Sequence, residues 1–102
     1  MRIITLESRS EKARGLQYKP FIEDQTLWVF EEIGYGDYFH SQNVPEPFDI
    51  AFVGKDGMVL LVTKMHPPDD TISVPQGTAM ALESKAGEMA RWGIVQGTVV
   101  SL

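Results

Sequence analysis

The chain has 102 residues, no cysteine and a formal charge of -5, and its length suits one domain spanning residues 1–102 rather than two. The missing cysteines exclude a disulfide framework, a thiol nucleophile and thiolate zinc sites. An acidic chain without a basic cluster is expected to bind neither nucleic acid nor an anionic membrane surface.

A domain of this size buries roughly 65% of its unfolded surface, so it needs no covalent staples. No apolar run approaches the roughly 20 residues of a membrane-spanning helix. Ile3-Ile4-Thr5-Leu6 ends at Glu7 and is too short for an export signal. The expectation is a soluble, cytoplasmic protein.

Ile3 to Leu6 suits a first strand. Ser8-Arg9-Ser10-Glu11 has the Ser-x-x-Glu form of a capping box. A helix of about two turns should follow and stop near Gly15. Its basic side, Lys12 and Arg14, reads either as a solvated face or as an anion contact. Residues 17–25 read as a loop, and Leu27 to Phe30 as a strand. Glu31 to Gly36 is a polar turn, and Tyr38 to Gln42 can form another strand. Asn43 to Pro47, with two prolines, is an extended connector or an edge.

The strongest signal is Pro47 to Thr63. Phe48, Ile50 and Phe52 alternate with Asp49, Ala51 and Val53, the period of a pleated strand. Met58 to Val62 is continuously apolar, as for a strand buried on both faces. Gly54-Lys55-Asp56-Gly57 between them has the chemistry of a tight turn with a glycine bulge. The prolines and aspartates of Lys64 to Asp70 predict the longest exposed loop, a candidate lid or rim. Ile72 to Pro75 is short and extended, and Thr78 to Leu82 reads as a strand with helix as the competing assignment. Ser84 to Trp92 is expected to be a helix ended by Gly93, and Thr98 to Leu102 a last strand. The expected fold is therefore α+β: a small β-rich domain. Six or seven short, mostly antiparallel strands form a partly closed sheet with two short helices. The strands and helices do not alternate as βαβ units, which argues against a doubly wound sheet.

One ordered set of residues resembles a known family. Ala13-Arg14-Gly15-Leu16, Leu27-Trp28-Val29-Phe30, Asn43 and Pro47 to Phe52 are followed by Asp56-Gly57, Leu82-Glu83, Ala86-Gly87 and Gly93-Ile94. Their order and spacing are similar to those of the domain of unknown function 192 family, from about Ser8 to Val100. The resemblance implies a compact β-rich α+β domain and brings no activity. The family's frequent export or lipoprotein signal is not carried over. Where the family usually has tryptophan, methionine, lysine, asparagine and threonine, this chain has His40, Ser41, Gln42, Asn43 and Val44. Only the asparagine matches. Thr98 after Gly97 replaces a usual aspartate. The resemblance thus implies that any polar site around these positions is altered here.

Among the polar residues, Asp49 sits between apolar neighbours of a central strand and must face water or find partners. It is either a structural acceptor of backbone hydrogen bonds, with the Asn43-Val44 connector as a candidate donor, or a base or ligand acceptor with Asn43 and Glu83. His40 is either a half-buried aromatic or an acid, base or metal ligand. His40, His66 and Asp69 or Asp70 offer nitrogen and oxygen ligands but match no metal-ligand spacing, so no metal or other cofactor is expected. No serine lies in a nucleophile elbow, and Gly34-Tyr35-Gly36 is a turn rather than a phosphate loop.

The expected function is a non-catalytic binding or accessory domain with a polar-rimmed pocket near Asn43 and Asp49. Candidate ligand-binding residues are Asn43, Asp49, Glu83, His40 and Gln42. The alternatives are a small hydrolase or lyase using Asp49 or His40 as general base, or a structural subunit of an oligomer. The partner is expected to be a small molecule or a protein, a second copy of the chain included.

Overall fold

The computed structural model describes residues 1–102. In chain order the elements are β1 (Arg2–Leu6), α1 (Arg9–Arg14), β2 (Thr26–Glu31), β3 (Tyr38–His40), β4 (Phe48–Gly54), β5 (Val59–Met65), β6 (Thr71–Ser73), β7 (Thr78–Lys85) and α2 (Glu88–Arg91). Five strands form one sheet in the order β1-β2-β7-β4-β5, and β3 pairs with β6 in a separate ribbon. Every pairing is antiparallel except β1 with β2. Neither sheet closes into a barrel. The α+β class, the seven strands and the two short helices agree with the sequence reading.

The hairpin forms where turn chemistry places it. The Gly57 N–H donates to the Gly54 carbonyl at 2.9 Å, and the Asp56 carboxylate accepts from the Met58 N–H at 3.0 Å. Gly57 has a φ of 87°, and a Cβ there would lie 2.7 Å from the Val100 carbonyl oxygen. Both facts require glycine.

Strand burial is the reverse of what the apolar patterns predict. The alternating β4 is buried along its whole length, whereas much of the continuously apolar β5 is half-buried. The reason is strand order: β4 lies between β7 and β5, and β5 is an edge. Phe48, Ile50 and Phe52 join Trp28, Phe30 and Ala81 on one face of the sheet. Ala51 and Val53 join Leu27, Val29 and Leu82 on the other. The first face is covered by Leu16 and Ile22 of the segment after α1, and by Phe39 and Ile72 of the ribbon. Met89 and Ile94, from α2 and its exit, cover the second.

Other expected boundaries shift because sheet pairing outweighs local propensity. β5 runs through Lys64 and Met65, because these pair with Asp49 and Phe48. The loop that follows is short, residues 66–70, and the segment 15–25 is longer. It is tied down: Ser41 accepts the Asp70 N–H at 2.9 Å, and Asp70 accepts the His66 N–H at 2.7 Å. β7 continues to Lys85, where it still pairs with β4, so the expected helix from Ser84 shrinks to the single turn of α2. β3 ends at His40 rather than Gln42. The first two strands and α1 do form one βαβ unit, against expectation, because residues 7–25 are long enough for a crossover.

No terminal strand forms over Thr98–Leu102. Instead, a bridge joins Met58 to Val99, and the Val59 N–H donates to the Thr98 carbonyl at 2.8 Å. No helix is long and apolar enough to cross a membrane.

Candidate functional site

Ser8 starts α1 through reciprocal bonds. The Glu11 N–H donates to Ser8 Oγ and the Ser8 N–H to Glu11 Oε1, each at 3.1 Å. The helix buries no residue, so it lies over the sheet without sealing it. Gly15, with φ 51°, brings the chain down where a Cβ would sit 3.3 Å from the Phe30 ring. Between α1, β3 and the sheet an open cleft of about 560 Å³ remains. The sheet contributes Phe30, Phe48 and Glu83 to it, β3 contributes Tyr38, Phe39 and His40, and α1 contributes Arg9, Lys12 and Arg14. The wall is held by edge-on aromatic contacts of Phe39 with Phe30 and Phe52, at centroid distances of 5.2 and 5.8 Å.

Glu83 is the unusual residue. Register places it between Trp28 of β2 and Ile50 of β4, both in the core. It is only 3% exposed. Burial pushes its pKa up to about 8, with no hydrogen bond or neighbouring charge offsetting that effect. At neutral pH it is an uncharged carboxylic acid, able to donate one hydrogen bond and accept others.

The basic groups are placed differently. Lys12 Nζ donates to the Glu31 carbonyl at 3.0 Å. The ion pairs Lys19–Glu23 and Lys85–Glu46, and the His66–Asp70 contact, leave Arg9 and Arg14 without carboxylate partners. His40 Nδ1 accepts the Gln42 N–H at 3.1 Å. A neutral ring then carries its proton on Nε2.

Of the candidate residues, the cleft brings together His40 and Glu83. Asn43 stands beside it, exposed and at φ 64°. Its amide donates to Gln17 Oε1 at 3.3 Å and Tyr18 Oη at 3.1 Å. Gln42 is exposed, and its backbone rather than its side chain orients His40. Asp49 lies on the other face of the sheet, where Oδ2 accepts the Gly87 N–H at 2.8 Å. It accepts a backbone bond, but from the loop before α2 and not from the Asn43-Val44 connector. Nor does it share a site with Glu83. His66 and Asp70 pair on the surface at 3.3 Å, and nowhere do three or more His, Asp or Glu side chains gather as a metal site.

Sequence reasoning passed over Arg9, Phe30, Tyr38 and Phe39 as lining residues. The available signal was the basic side of α1, but nothing local says that this helix crosses the sheet above Glu83.

The chain belongs to the DUF192 family, described as "Uncharacterized ACR", whose profile matches residues 1–102. A crystal structure of a protein of unknown function from Novosphingobium aromaticivorans DSM 12444 is similar at 27% identity and a TM-score of 0.86, covering 100% of this chain and 75% of that one. A second crystal structure, of a "putative transcription regulator" from Sinorhizobium meliloti 1021, is 22% identical with a TM-score of 0.76, covering 93% of this chain and 76% of that one. At that identity the likeness concerns the fold alone. No curated protein matches the chain.

Proposed function

We propose that this domain is a small-molecule binding or accessory module whose site is the cleft under α1. The observation that carries the reading is Glu83, a buried carboxyl with no partner in the chain, bordering an open cleft of about 560 Å³. A ligand that enters the cleft can supply the hydrogen-bond partner that no residue of the chain gives this carboxyl. The volume falls in the range of small-molecule sites, and the lining mixes aromatic rings with a few polar groups.

Binding is favoured over a hydrolase or lyase by two arrangements. His40 offers Nε2–H, a donor rather than a base. Asp49 is turned to the opposite face and engaged by Gly87. The cleft also departs from the pocket near Asn43 and Asp49 that the sequence suggests, and is centred on Glu83 instead. A net charge of -5 gives DNA contact no support.

The test is a thermal-shift screen against a metabolite panel, with hits repeated on Tyr38→Ala and Glu83→Leu. True ligands should raise the wild-type midpoint by several degrees and lose part of that shift in both variants. Hits indifferent to both substitutions would remove the cleft from consideration.

A further inference from the structure

The cleft has two chemically distinct ends. At its mouth, Arg9 and Arg14 have no carboxylate partner, while Lys12 is engaged by the Glu31 carbonyl at 3.0 Å. Glu32 and Asp37 also border it, and Asp37 is held by the Gly34 N–H at 3.0 Å. Three cations against two carboxylates leave that end positive. At the sheet end stands Glu83, flanked on its own face by Trp28, Ile50 and Ala81, none of which titrates. Lys85, two residues along β7, lies 3.9 Å from Glu46 instead. Lys19, over the Trp28 ring, is paired with Glu23 at 3.0 Å. Across the cleft the remaining titratable groups are Tyr38 and His40.

No cation lowers the Glu83 pKa, so the arginines do not neutralise it. The two ends therefore ask for different groups: an anion at the guanidinium groups, and a neutral acceptor at the carboxylic acid. Phe30, Phe39 and Phe48 supply an apolar surface for what joins them.

Resting on the binding reading above, we infer that the ligand is a small organic anion with an apolar body. Its acid group meets Arg9 and Arg14, its body lies on Phe30 and Phe39, and a carbonyl oxygen at its far end accepts a hydrogen bond from Glu83.

Three matched probes test this by titration into isotope-labelled protein, followed by amide NMR shifts. They are 4-acetylbenzoate, 4-acetylbenzamide, which lacks the charge, and 4-isopropylbenzoate, which lacks the acceptor oxygen. The first should bind with shifts centred on Phe30, Phe39 and Glu83. The amide should bind about tenfold more weakly and the isopropyl compound about fivefold more weakly. Arg9→Gln with Arg14→Gln should abolish the preference for acid over amide. With a Glu83 pKa of about 8, going from pH 6.5 to 8.8 should weaken 4-acetylbenzoate binding about threefold, because most of Glu83 then lacks the proton that makes that fivefold contribution. Glu83→Gln keeps a donor and should lose that pH dependence.

Equal affinity for the amide, or for the isopropyl compound, would overturn this ligand class and leave the cleft as a binding site. If none of the three probes moves the Phe30, Phe39 or Glu83 signals, the binding reading itself falls.

Discussion

Asp49 and Glu83 sit on neighbouring strands of one sheet and are nearly equally hidden, at 7% and 3% exposure. Their situations are otherwise opposite. Asp49 faces the α2 side and takes the Gly87 N–H. Glu83 faces the α1 side and takes nothing. Glu88 resembles Asp49: it is buried and accepts the Gln25 N–H with both oxygens, at 2.9 and 3.1 Å. Burial by itself therefore does not mark a functional carboxylate in this domain. Asp49 pins a loop to the sheet and Glu88 pins one to α2, and the buried carboxylate that pins nothing borders the cleft.

The sharpest way to break this contrast is through pH. The folded pKa of Glu83 is about 8 against an ordinary 4.5. The native state therefore holds a proton that the unfolded chain releases between those values. The stability this proton contributes is complete below about pH 4.5 and is lost as pH rises towards 8. The loss has a ceiling of about 5 kcal/mol. Urea denaturation at pH 5 and pH 9 should show it, and Glu83→Gln should flatten the dependence. A variant with the wild-type pH profile would place the titration elsewhere.

Asp49→Ala should cost about 1–3 kcal/mol, because it removes the acceptor of the Gly87 N–H. Asp49→Asn, which keeps an acceptor oxygen, should recover part of that loss. If both melt like the wild type, the bond to Gly87 contributes nothing. The smallest effect belongs to Asn43→Ala. Its contacts are exposed, and its left-handed backbone tolerates alanine less well than asparagine. A change of about 0.5–1 kcal/mol in urea is expected, with ligand binding unchanged.

The hairpin and the capping box were legible in the sequence because each depends on residues within a few positions of one another. Gly57 and Asp56 make their turn, and Ser8 and Glu11 make their cap, whatever the rest of the chain does. The burial of β4 and β5 was not legible. It depends on which strand receives β7 as a neighbour, and that neighbour arrives from residues 78–85. The Ser84 boundary failed for the same reason, since pairing with β4 keeps Ser84 and Lys85 extended. The candidate site was half legible: Glu83 and His40 were named, but Asp49 and Glu83 were expected together. An antiparallel register that sets Glu83 beside Ile50 rather than Asp49 puts them on opposite sides.

The contact of residues 97–100 with the beginning of β5 has a practical consequence. Gly97, Thr98 and Val100 occupy hydrogen-bonding positions on Gly57 and Val59 that would otherwise lengthen the open, apolar margin of the β5 edge. A chain cut after Gln96 would offer that greasy margin as a template for another copy. Such a fragment is expected to assemble side by side at concentrations where the whole chain stays dispersed, as light scattering would reveal.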